Sequence, residues 1–148
     1  MNWYKFNSKK EEKENVLYVG LVGYSSQEFD ETKAKQLIKE AFDEIEDKAD
    51  GAAISLVSGL TDLGIPALGY QEGARRGWRL IGVAPKVANE FAWCDCDEIV
   101  IEGENWGDES EKFLSMIDIL IRVGGGNQSE AEAQQVKDNG KECLEFDL

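Results

Sequence analysis

Short apolar runs alternate along this chain with stretches whose apolar residues recur at helical spacing, and that alternation restricts the fold more than any other feature. Val16 to Gly23 (Val-Leu-Tyr-Val-Gly-Leu-Val-Gly) is apolar almost throughout. Such a run fits a strand covered on both faces better than one with a wet side. Thr32 to Lys48 follows, with Ala34, Leu37, Ile38, Ala41, Phe42 and Ile45 on one helical face. Ala52 to Val57 predicts a second strand, ending at Ser58-Gly59, and Leu63 to Gly77 a helix with Pro66 in its first turn and Gly77 closing it. Leu80 to Ala84 predicts a third strand, stopped by Pro85, and Glu98 to Ile101 a fourth. Asp108 to Met116 then predicts a helix, Ile117 to Arg122 a strand, Ser129 to Asn139 a helix stopped by Gly140, and Lys141 to Phe146 a final strand. The expected fold is α/β: a Rossmann-like, doubly wound, mainly parallel sheet flanked by helices.

In such sheets ligands bind beyond the carboxyl ends of the strands, where chain order reverses. The turn Gly23-Tyr24-Ser25-Ser26, the turn Ser58-Gly59-Leu60-Thr61 and the loop Gly124-Gly125-Gly126-Asn127-Gln128-Ser129 all fall at such ends. The last is the most informative. A strand that ends in glycines and feeds a helix leaves bare backbone N–H groups at the positive helix end, where an anion such as phosphate is stabilised. Gly23, Tyr24, Ser25, Ser58, Gly59, Gly124, Gly125, Gly126, Asn127, Gln128 and Ser129 are therefore the expected ligand-binding residues.

The chain has 148 residues, and one domain over residues 16–148 is the expectation, with an N-terminal arm or edge strand over 1–15 built on Trp3, Tyr4 and Phe6. Its net charge of −14 disfavours nucleic acid and anionic lipid as partners, unless Arg75, Arg76 and Arg79 form a local basic patch. On a solvated helix face Arg75 and Arg76 need no such role. There is no histidine, which removes Ser-His-Asp and Cys-His nucleophiles and histidine-bound metals. Cys94, Cys96 and Cys143 fit no zinc spacing and no disulfide framework, so free thiols, a cytoplasmic location, no metal and no resident cofactor are expected. No apolar run approaches the roughly twenty residues of a membrane span.

Two segments carry a family resemblance. Gly64-Ile65-Pro66-Ala67-Leu68-Gly69 through Gly82-Val83-Ala84-Pro85 resembles the G-L-M-G…A…G-G-x-V-I-G-V-x-P segment of the LOG, or lysine-decarboxylase-like, family, part of the SLOG superfamily of Rossmann-like nucleotide-binding proteins. Val123 to Glu130 resembles that family's P-G-G-x-G-T-x-E loop. Gly124 and Gly125 match its paired glycines and Glu130 its glutamate, while Asn127 and Gln128 stand where glycine and threonine are usual.

The resemblance implies a site for a nucleoside monophosphate or related phosphorylated small molecule, and a homodimer. For LOG enzymes it implies hydrolysis of the N-glycosidic bond of a nucleoside 5′-monophosphate, with Glu130 as the catalytic carboxylate that stabilises oxocarbenium charge. The chain departs from the pattern where the enzymes carry an arginine in the helix before the glycine strand: Asp108-Glu109-Ser110-Glu111-Lys112 puts a glutamate at about that place. Two functions follow as expectations, a SLOG-type sensor or carrier without turnover, and a phosphoribohydrolase with rearranged catalytic residues. Nothing in the chain suggests a pyridoxal-phosphate lysine.

Overall fold

The computed structural model describes residues 15–148, so the expected N-terminal arm lies, but for Asn15, outside the described residues. Six strands form one parallel sheet: β1 (Val16–Gly23), β2 (Ala53–Ser58), β3 (Arg79–Ala84), β4 (Glu98–Ile101), β5 (Ile119–Val123) and β6 (Glu142–Phe146), in the order β4-β3-β2-β1-β5-β6. The chain steps outward from β1 to β4 and then returns to the other side of β1. Chain order therefore reverses between β1 and β5, whose carboxyl ends are in register, Gly23 opposite Val123. That is where a doubly wound sheet opens a crevice.

Four helices cover the sheet: α1 (Glu31–Ala49), α2 (Gly64–Arg75), α3 (Ser110–Met116) and α4 (Asn127–Asp138). On one face Val19, Leu21, Leu56, Leu80, Ile119 and Ile121 pack against Ile38, Phe42 and Ile45 of α1 and Ile65 and Leu68 of α2. On the other, Val57, Ile81, Val83 and Leu120 meet Phe113 of α3 and Ala133 and Val136 of α4. Alternate residues of each strand thus enter opposite layers, which explains why the strands are apolar throughout. Among the described residues no helix is long and apolar enough to cross a membrane.

Some element boundaries differ from the expected ones, two of them for a local polar reason. The strand expected from Ile117 begins at Ile119, because Asp118 is engaged in a two-way clasp with Tyr18: its carboxylate accepts the Tyr18 N–H at 2.9 Å and its own N–H reaches the Tyr18 carbonyl at 2.8 Å. The helix expected from Asp108 begins at Ser110, because the Asp108 carboxylate closes the preceding loop on the N–H groups of Glu104 and Asn105. The last helix starts at Asn127, not Ser129.

Arg75 lies on a solvated face as expected, but Arg76 does not. Its guanidinium donates to Glu72 on α2 and to Asp43 and Glu46 on α1 at 2.7–2.8 Å, and lies 5.8 and 6.0 Å from the ring centroids of Phe42 and Trp78. It fastens the two helices of one layer by charge and by cation–π contact. Removing it leaves three carboxylates facing one another. The partly exposed partners limit the loss through solvent screening. Arg76→Ala is expected to lower unfolding stability by about 2 kcal/mol, read as a lower urea midpoint at unchanged denaturant slope.

Candidate functional site

At the carboxyl ends of β1, β2 and β3, and against the start of α4, lies a cavity of about 500 Å³. Gly23 to Gln27 after β1, Gly59 to Thr61 after β2 and Gly126 to Ser129 at the head of α4 line it, as do Glu109, Phe113 and Glu132. Its size suits a small ligand. Two helix N-termini reach this rim, and neither carries a side-chain cap. They differ in what their amides do. At α2 the N–H of Ile65 is taken by the Tyr24 carbonyl and that of Leu63 by the Thr61 carbonyl, both at 2.8 Å. At α4, no acceptor among the described residues meets the N–H groups of Gly125, Gly126, Asn127, Gln128 or Ser129; the first satisfied amide is Glu130, bonded to the Gly126 carbonyl at 3.1 Å. Unpartnered donors at the positive end of a helix favour a negative charge placed beside them.

The loop is held from behind. The Gly124 N–H donates to the Phe146 carbonyl at 2.8 Å, and the Gly124 carbonyl accepts from the Arg122 guanidinium at 2.9 Å, while Arg122 is itself paired with Glu145. Gly124 and Gly125 have φ of 63° and 104°, a region that side chains disfavour, and a Cβ on Gly125 would come 2.7 Å from Ser129. A Cβ on Gly126 meets nothing within 4 Å. The first two glycines therefore make the turn, and the third leaves the entrance open.

Of the residues expected from sequence, Gly23, Tyr24, Ser25, Gly59, Gly126, Asn127, Gln128 and Ser129 come together around the cavity. Ser58, Gly124 and Gly125 lie behind it. The Ser58 hydroxyl is fully buried and donates to the Leu21 carbonyl at 2.6 Å. Glu130 is exposed in the first turn of α4 and does not line the cavity. Glu132 does, with 6% of its surface exposed. The Ser110 hydroxyl donates to its carboxylate at 2.9 Å, and the Gln128 amide to that hydroxyl at 3.2 Å. The sequence held a signal for it: Ser129, Glu132, Ala133 and Val136 share the buried face of α4, so a carboxylate sat on the apolar stripe of an amphipathic helix. Phe91 and Trp106 also line the cavity and were not foreseen.

Among the described residues no lysine or arginine lines the cavity, and Glu109, in the stretch where the resemblance leads one to expect an arginine, adds a second carboxylate. The thiols offer no nucleophile. Burial, with Asp62 beside it, pushes Cys94 up to about 12, and burial, with Glu145 beside it, pushes Cys143 up to about 11. Among the described residues no cluster of acidic or cysteine side chains has the arrangement to hold a metal ion.

No protein-family profile and no curated protein matches the chain. Solved structures do. The X-ray structure of TM1055 is 20% identical with a TM-score of 0.68, over 86% of this chain and 72% of that one. A structure of the Moco carrier protein from Chlamydomonas reinhardtii is 19% identical with a TM-score of 0.71, over 89% and 77%. At this identity the likeness is one of fold, and it makes the α/β, Rossmann-like architecture a shared one.

Burial is the main reason why the Glu132 carboxyl is pushed up to about 7; the neighbouring Glu109 adds to it, and the bonds from Ser110 and Gln128 oppose it. The folded state then holds a proton that the unfolded chain releases near pH 4.5. Stability relative to a neutral side chain is complete below that pH and declines as pH rises to about 7. Glu132→Gln is accordingly expected to stabilise the fold by about 3 kcal/mol at pH 8 and by close to nothing at pH 4. Urea unfolding at the two pH values measures the difference, and an equal gain at both would show that Glu132 does not titrate in this range.

Proposed function

We propose that the chain binds a nucleotide or related phosphorylated small molecule at the β5–α4 corner and retains it without turnover, as a carrier or sensor. The observation that carries this reading is the run of amides from Gly125 to Ser129 that meet no acceptor among the described residues, four of which, Gly126 to Ser129, line the cavity. A phosphate monoester supplies several oxygens to such a run at once. The sequence resemblance to the SLOG superfamily points the same way, and the shared fold of a molybdenum-cofactor carrier gives a precedent for a carrier on this architecture.

Retention fits the local electrostatics better than catalysis does. Hydrolysis of an N-glycosidic bond needs a carboxylate beside the anomeric carbon, and the Glu130 assigned that role by resemblance stands in solvent, outside the cavity lining. Glu132, which does line it, is tied to Ser110. With main-chain donors and, among the described residues, no lysine or arginine in the lining, a bound phosphate gains hydrogen bonds without a strong ion pair. Release then stays easy, as a carrier requires.

Inorganic phosphate and AMP are each expected to raise the melting temperature, by about 5 °C at a concentration a hundred times Kd. Gly126→Val adds bulk in open space at the entrance, so it should preserve the protein's own melting temperature and abolish the ligand-dependent rise; a rise that persists in the variant takes the loop out of the site. Chromatography of the AMP incubation should show no free adenine, and adenine released by wild type but not by Glu130→Gln would reinstate the hydrolase.

A further inference from the structure

We infer that the ligand's other half is a neutral planar ring, gripped at the outer lip of the cavity by Trp106 and Phe91; this rests on the phosphate reading above and names the class of phosphate ester that the site takes. Among the described residues six large apolar side chains stand exposed, and Leu63, Phe91 and Trp106 among them line the same cavity. Trp106 is 51% exposed and Phe91 46%. Their rings meet edge to face, with centroids 5.9 Å apart and planes at 60°. Core packing does not account for their position.

The segments that present them are fastened. Asp108 accepts from the N–H groups of Glu104 and Asn105 at 3.0 and 2.9 Å, and Glu109 from that of Gly107 at 2.7 Å. The Lys86 and Val87 amides donate to the Gly103 and Glu104 carbonyls at 3.0 and 3.1 Å, and Lys86 pairs with Glu104. The loop bearing Trp106 is thereby tied to the short 3₁₀ helix Lys86–Glu90, and Phe91 follows that helix directly. Holding Trp106 in a tied loop while half of its surface stays wet gives the fold little, but it removes the ordering cost of stacking a ring there. Among the described residues no lysine or arginine lines the cavity there, Lys86 nearby is taken up by Glu104, and Glu109 repels a second anionic group. Polarity is thus divided: donors for phosphate at α4, aromatic surface for an uncharged ring at the lip.

Titration calorimetry of the full chain with AMP, ribose 5-phosphate and inorganic phosphate tests this. Stacking of one base is worth about tenfold or more in affinity. AMP should therefore bind about tenfold more tightly than ribose 5-phosphate and quench tryptophan fluorescence. Trp106→Ala should bring AMP down to the affinity of ribose 5-phosphate, and Trp106→Phe should keep most of the preference for AMP while losing the quench. Equal affinity of wild type for AMP and ribose 5-phosphate overturns the ring assignment and leaves the phosphate reading standing. A parallel loss of all three ligands in Trp106→Ala overturns it as well, since the indole then only shapes the cavity. A change in sedimentation mass with AMP affinity untouched assigns the lip to self-association instead. If none of the three ligands binds to wild type, the phosphate reading itself fails.

Discussion

The pairing of β5 with β1 is the contact on which the rest of this molecule depends. The chain has already laid down three strands to one side of β1 when β5 returns to the other, so a gap between successive crossovers is unavoidable at that seam. Two short-range devices fix its register. At the amino end the clasp between Asp118 and Tyr18 sets where pairing begins; at the carboxyl end Gly23 arrives opposite Val123. Slipping the pair by one residue would turn Ile119, Ile121 and Val123 into the wrong layer, so the hydrophobic effect and the clasp enforce the same register. The glycine loop stands beside the Gly23–Gln27 turn only because this pairing holds.

The site that results is unusual in its electrostatics. Among the described residues the cavity wall carries peptide dipoles and neutral polar side chains but no lysine or arginine, and two carboxylates stand there as well. Backbone donors are already oriented and cost nothing to organise, which is the advantage they hold over long basic side chains. Glu132 is the counterweight. Burying it lowers the stability of the fold at neutral pH, a loss that the bonds from Ser110 and Gln128 offset only in part.

Much of this was legible in the residues. Continuous apolar strands and intervening amphipathic helices led to the parallel sheet, because residues that enter two layers leave no wet face to alternate. The loops lining the cavity were legible too, since small residues at strand ends fall on one rim by topology alone. Element starts were harder, because Asp108 and Asp118 read as helix or strand neighbours until their carboxylates are seen capturing distant or local amides. Glu130 stood out by its match to a motif, whereas Glu132 needed helical phase: two positions along α4 turn a side chain to nearly the opposite face. Phe91 and Trp106 share a cavity through a loop and a 3₁₀ turn with no periodicity to read. Arg76 differs from its exposed neighbour Arg75 only because α1 lies against one of them.

The double tether of Gly124 has one more implication. Its amide is held by Phe146 and its carbonyl by Arg122, which is braced in turn by Glu145; both anchors trace back to β6, the outermost strand on that side of the sheet. Edge strands are where sheets fray first. Peeling β6 from β5 would free the Gly124 amide and take the brace from Arg122, so the set of the glycine turn depends on events at a margin of the sheet.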